Sequence, residues 1–196
     1  MLERIRHLKD LEKAKLPLEE YVLVNSAWLA LMGIRRNGDL DLIISSTLWE
    51  SRFANYPSDQ SFGLPGPNSK RIRIHPLKNG NYLTMTDLKT NDCAIYKHKI
   101  MVDGIPLIEP RYYFQYLAAR HKKFMEKFEG LSWWQRLAFI NPSYKKLKKK
   151  LYKDNYSISE IKKYFSHETP KEGPLQNISQ HQWGRHDPNL KVFFRP

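Results

Sequence analysis

The chain has 196 residues, with 33 Lys and Arg against 20 Asp and Glu and a formal net charge of +13; that length suffices for a full hydrophobic core, and the charge favours anionic partners such as nucleic acid, nucleotide phosphates or an anionic membrane face. A single cysteine, Cys93, excludes an intrachain disulfide framework and a multi-cysteine metal site. No apolar run approaches the roughly 18 residues of a membrane span, and the charged opening MLERIRHLKDLEKAKLPLEE lacks the apolar block of a secretory signal, so the expected location is cytoplasmic.

Leu2, Ile5, Leu8, Leu11 and Ala14 recur every third residue and predict an amphipathic helix over 2–15, which Pro17 ends. Tyr21 to Val24 reads as a short strand. Ser26 is placed to cap a helix through Ala27, Leu29, Ala30 and Met32, and Gly33 marks its end. Leu40 to Ile44 is the next strand, and this strand, helix, strand order predicts an α/β or α+β sheet. From Phe53 to Gly80, Pro, Gly, Asn and Ser dominate, which suits a lid or substrate loop, while the alternating KRIRIHP predicts a strand at 70–75. Asn79-Gly80 is a hairpin signal before the strand-like NYLTMTDL. Further strands are expected at 94–102 and 105–108 around the turn Asp103-Gly104, giving a mixed sheet of about five strands.

Pro110 opens a long helix, RYYFQYLAARHKKFMEKF. Helical signal continues, with breaks, through LSWWQRLAFI and NPSYKKLKKKLYK to SISEIKKYF, where Ser157 and Glu160 have capping-box spacing. The remaining residues read as loop. The expected organisation is therefore a core over 1–125, a basic helical extension over 126–166 and a loop-like tail over 167–196.

Two aspartates, Asp39 and Asp41, interrupt the stretch 22–44, which otherwise looks like buried structure. Side chains two apart on a strand share a face, so Asp39 and Asp41 present two carboxylates together while Leu40 and Leu42 face the core. Such a pair suits a hard divalent cation, Mg2+ or Mn2+, which takes oxygen ligands and substrate phosphates. A helix opening after Asn25 and Ser26 would aim its free N–H groups at the same region, an anion site. The alternative is structural: the carboxylates pair with Arg35 and Arg36.

VNSAWLALMGIRRNGDLDLII resembles the signature of the nucleotidyltransferase superfamily, the fold of DNA polymerase beta. There a strand ends in Gly-Gly or Gly-Ser, a helix follows, and the next strand carries Asp-x-Asp between apolar residues. Twelve residues lie between Ser26 and Asp39, within the family's spacing, and Asn25 stands where glycine is usual. The resemblance, strongest at 22–44 and extending over about 20–125, implies a compact bacterial-type nucleotidyltransferase core. It implies a magnesium-dependent transferase moving a nucleotidyl or related phosphoryl-linked group from a nucleotide donor. Asp39 and Asp41 would hold the metal, and a third carboxylate from a later strand, Asp87, with Asp103 as its rival, would complete the site. Asn25 and Ser26 would line the donor phosphates, with Arg35, Arg36 and Lys70 as further phosphate contacts. Arg120, Lys122 and Lys123 would correspond to a basic helix that such relatives often carry, although the acidic residue often beside it is replaced here.

The stretch 131–153 joins Trp133 and Trp134 to Lys145, Lys146, Lys148, Lys149 and Lys150. Aromatics followed by clustered lysines suit a helix peripheral to an anionic membrane, at the inner face for a cytoplasmic protein, or an RNA backbone, or simply a core Trp pair beside a solvated helix. The membrane option makes a surface glycan or a lipid-linked sugar the attractive acceptor, with RNA as the alternative. A second function class is a noncatalytic nucleotidyltransferase-like module that binds RNA or a protein through its basic surface. His181 and His186, five apart in a Gly and Pro loop, match no usual zinc spacing.

Overall fold

In the computed structural model, residues 2–55, 62–64, 71–76, 98–137, 142–166 and 173–194 are described. The strands are β1 Tyr21–Val24, β2 Leu40–Ile44, β3 Phe62–Leu64, β4 Ile72–Pro76, β5 Lys99–Val102 and β6 Ile105–Ile108. They form one six-stranded mixed sheet in the order β3-β4-β2-β1-β6-β5, so the protein is a mixed α/β fold. The helices are α1 Leu8–Ala14, α2 Ala27–Leu31, α3 Ser46–Arg52, α4 Pro110–Glu129, α5 Trp133–Leu137, α6 Pro142–Ser166, α7 Gln180–Trp183 and α8 Lys191–Phe194.

β1 and β2 pair antiparallel with Val24 opposite Asp41, while β2 and β4 run parallel with Asp41 beside Arg73. β6 lies parallel to β1, Leu107 beside Leu23, and the short hairpin β5–β6 closes that edge. Strand alternation separates two faces. Leu23, Leu40, Leu42, Ile44, Ile72 and Leu107 enter the main core, and Val22, Val24, Ile43, Ile108 and Tyr112 form a smaller cluster on the other face. Each such fully buried Leu or Ile contributes about 1.5–3 kcal/mol of transfer free energy, so these strands are held chiefly by their side chains.

Several local expectations change. The helix over 2–15 is broken into a 3-10 turn at Leu2–Arg4 and α1, with His7 left-handed at φ 71° between them. The buried Asn37 accepts from the Arg6 N–H at 2.8 Å and donates to the Arg6 carbonyl at 3.2 Å, withdrawing that peptide from a continuous helix. β3, inside the Gly- and Pro-rich stretch, pairs antiparallel with β4 and is the strand the sequence did not suggest. β5 starts at Lys99; the hairpin at 79–80 and the strand expected over 81–88 lie outside the described residues.

Ser157 and Glu160 form no capping box, because α6 runs unbroken through them. Ser157 instead donates to the Lys153 carbonyl at 2.9 Å, and Glu160 pairs with Lys163 at 2.7 Å. α4 and α6 lie antiparallel: Phe128 stacks on Tyr144, the Lys150 ammonium sits over the Phe124 ring, Arg120 pairs with Asp154, and Phe114 meets Phe165. The segment expected as a loop-like tail carries 3-10 turns at Gly173–Asn177 and Pro188–Leu190 besides α7 and α8, and it buries Trp183, Leu190 and Phe193 completely in the main core.

Candidate functional site

The aspartate pair stands where β1 ends and β2 begins. After Val24 the chain turns through Asn25 at φ 60°, a left-handed conformation that asparagine tolerates better than most residues. This turn brings the Asn25 side chain back over β2, where its Nδ2 donates to Asp41 Oδ2 at 3.0 Å. Asn25 Oδ1 is buried without a hydrogen-bond partner. Asn37 Nδ2 donates to the Asp39 carbonyl at 2.9 Å and fixes the residue before β2.

Arg73, the residue of β4 in register with Asp41, places its Nε 3.2 Å from Asp39 Oδ2. Among the described residues the two carboxylates thus contact Arg73 and Asn25, where the structural alternative expected Arg35 and Arg36. Asp39 and Arg73 keep 29% and 47% of their side chains exposed, so the bridge is accessible and weak, worth under about 1 kcal/mol. An incoming cation or phosphate can compete for either partner.

Further cations come from the loop after α2 and from α4 and α6. Arg35 Nε donates to Ser157 Oγ at 3.4 Å, and Arg120 grips Asp154 through two bonds at 3.0 and 2.5 Å. Burial alone would pull the Arg120 guanidinium down, but the bonds and charge of Asp154 outweigh it and hold it firmly protonated. Lys153 lies within electrostatic reach of all these groups. Partial burial, then Arg35 and Arg120, pull its ammonium below the usual lysine range, while Asp39 and Asp154 act in the opposite sense. Lys153 thus lies within electrostatic reach of Asp39 as well as of Arg35 and Arg120, and Arg73 flanks the pair from β4.

The expectation that Ser26 caps α2 through its side chain fails. An N-cap side chain reaches the first-turn amides from an extended backbone, whereas Ser26 is already helical at φ −68°, ψ −5° and makes no such bond. α2 has five residues, all buried, too short for much of a helix dipole. Arg36 is exposed, as are Lys122 and Lys123. Lys70 and Asp87 lie outside the described residues. Asp103 is excluded as the third carboxylate: it sits in the β5–β6 turn, at the start of β6 and hence beside the start of β1, whereas Asp41 faces the last residue of β1. Glu109, next after β6, is committed to Arg111 at 2.8 Å and His98 at 3.6 Å. His181 contacts Arg111, its Nε2 2.9 Å from the guanidinium.

Among the described residues no group of three or more His, Cys, Asp or Glu side chains is placed to hold a metal. Two neighbouring carboxylates still fit magnesium, which keeps most of its waters and takes one or two carboxylates plus substrate phosphates, and the uncommitted Asn25 Oδ1 beside them is a third oxygen. The sequence did not single out Arg73 or Lys153. Arg73 was legible only as an outward position of the alternating KRIRIHP, and Lys153 only as one lysine of a run.

No helix among the described residues is long and apolar enough to cross a membrane. Compared with protein-family models, curated proteins and solved structures, the chain matches none.

Proposed function

We propose that the chain is a magnesium-dependent transferase of nucleotidyltransferase type, moving a nucleotidyl or related phosphoryl-linked group from a nucleotide donor to an acceptor. The observation that carries this reading is the placing of Asp39 and Asp41 at the start of β2, beside the β1–α2 turn, with Arg73 bridging to Asp39 and Lys153 in electrostatic reach of it. Asp39 and Asp41 would hold the metal, which when bound screens phosphate charge and polarises the transferred group. Arg73 and Lys153 would orient donor phosphates, Arg73 giving up its contact with Asp39 to do so. Asn25 holds the Asp41 carboxylate in place. Asp87 is the proposed third carboxylate that receives the acceptor proton, and a surface glycan or lipid-linked sugar is the proposed acceptor.

A thermal-shift panel of nucleotides, nucleotide sugars and cytidine-linked alcohols, with and without magnesium, tests the reading on wild type and on the Asp39→Ala, Asp41→Ala double variant. A donor at a hundred times its dissociation constant stabilises by about 2.7 kcal/mol. The expected result is a raised midpoint with one nucleotide class, only with magnesium and only in wild type. A panel that moves neither protein removes this reading.

The Arg73–Asp39 bridge favours one alternative, a noncatalytic module of the same fold whose carboxylates are structural. That alternative predicts salt-sensitive polyanion binding unchanged in the double variant and no magnesium-dependent shift.

A further inference from the structure

The tip of the α4–α6 hairpin joins two features that the site does not use. α4 ends at Glu129, α6 begins at Pro142, and Phe128 stacks on Tyr144. Trp133 and Trp134 and the first lysines of α6 therefore share one end of the molecule. The two tryptophans are 57% and 67% exposed, in contrast to the buried Trp28, Trp49 and Trp183. They are not on a loose loop. Ser132 and Gln135 make reciprocal bonds, Gln135 N–H to Ser132 Oγ at 3.4 Å and Ser132 N–H to Gln135 Oε1 at 3.0 Å, which cap α5 and fix where the pair emerges.

α6 buries Leu151, Asp154, Ser157 and Ile161. The opposite face, at helical spacing, carries Lys145, Lys148, Lys149, Tyr152 and Tyr156, all exposed, with Tyr152 at 76%. From Pro142 to Lys153 the sequence has six lysines and no Asp or Glu. Aromatic rings with one polar tip, set in a lysine-rich stretch with no acid of its own, match the chemistry of a bilayer's headgroup layer.

We propose that this tip is a docking surface for an anionic lipid bilayer, the lysines resting on acidic headgroups and the Trp pair entering the boundary with the acyl chains. Nucleic acid is the competing occupant, since lysines bind phosphates and aromatic rings stack on bases. Here, however, Trp133 and Trp134 stack on each other with centroids 3.5 Å apart, which leaves no slot for a base between them and presents a single apolar block. The surface is independent of Asp39 and Asp41.

Co-sedimentation of the full chain with neutral phosphatidylcholine vesicles, and with vesicles containing anionic phosphatidylglycerol, tests the proposal. Binding is expected only with the anionic vesicles. Each lysine near such a surface contributes about fivefold in partition, so Lys145→Gln, Lys148→Gln, Lys149→Gln together should weaken binding at least tenfold. Trp133→Ser, Trp134→Ser should weaken it while leaving the melting temperature unchanged, because both rings are exposed. The Asp39→Ala, Asp41→Ala variant should sediment as wild type does. Equal or absent binding to the two vesicle types overturns the proposal. So does vesicle binding indifferent to the tryptophans, which would be bare charge attraction, and so does a single-stranded RNA that binds more tightly than vesicles and is lost in the same variants.

Discussion

Tyr113 is wholly buried in α4, and its hydroxyl has no hydrogen-bond partner although Arg35, Arg120 and Asp154 lie within electrostatic reach. Burial, only partly opposed by the two arginines, raises its phenol well above the ordinary tyrosine range. A raised folded-state value means that the stability tied to this group is complete below about pH 10 and declines as the unfolded chain ionises above it. A buried, unsatisfied hydroxyl costs about 1–3 kcal/mol. Tyr113→Phe should therefore leave stability unchanged or raise it by about 1 kcal/mol at neutral pH, and should shrink its alkaline loss; Tyr21, raised by burial and by Glu12, keeps part of that loss. Melts from about pH 8 to about pH 11 check this, and a Phe variant that melts lower at neutral pH would mean the hydroxyl has a partner in solution. At this scale the sequence disclosed Asp39 and Asp41, because strand alternation is a local rule that puts them on one face. It misjudged Ser26, since residue type names a capping candidate but the left-handed Asn25 before it decides the backbone. It could not disclose Arg73 as their neighbour, because that contact is set by the β2–β4 register across more than thirty residues of chain.

Among the elements, the pairing of α4 with α6 depends on one nearly enclosed ion pair. Asp154 is 3% exposed and Arg120 25%, and Asp154 takes both of its bonds from that guanidinium. Removing one member of such a pair strands the other charge at a cost of about 3–5 kcal/mol, whereas replacing both by apolar residues is often neutral. Asp154→Leu alone should lower stability by about 3 kcal/mol, and Arg120→Met with Asp154→Leu should recover most of it, as denaturant melts of the three proteins would read. Additive losses in the double variant would show that the pair is not the clamp. β1, β2, β4 and β6 were legible as apolar or alternating runs, and Pro110 as a helix start. α6 was read as broken because Ser157 and Glu160 imitate a helix start; their side chains are taken up within the helix itself, which the one-dimensional pattern does not reveal.

Across the whole molecule, the C-terminal segment closes the core. Trp183 lies edge-on to Trp28 at 5.6 Å and to Phe165 at 5.3 Å, and Phe193 stacks on Phe114 at 5.3 Å. Gly184, at φ 83°, turns the chain so tightly that an added Cβ would meet Leu190 at 2.6 Å and Arg111 at 2.8 Å. Trp183→Ala should cost about 3–5 kcal/mol, lowering the unfolding midpoint of the entire chain in one transition; a separate early transition would instead mean that this segment melts on its own. HQWGRHDP resembled a loop because of its Gly and Pro, and the burial of its tryptophan follows from packing on Trp28, Phe114 and Phe165, which the local pattern does not reveal.

α6 continues without a joint from Pro142 to Ser166, about 37 Å at 1.5 Å per residue. Its outward lysines and the Lys153–Asp154 step toward the aspartates belong to one rod. With the tip docked as proposed, that rod fixes the height of the carboxylate pair above the lipid. No break in α6 lies between them to lengthen the span, so, were transfer to take place at the aspartates as proposed, the chain would select its acceptor by reach as well as by chemistry, and an acceptor too short to rise to that height would go unmodified.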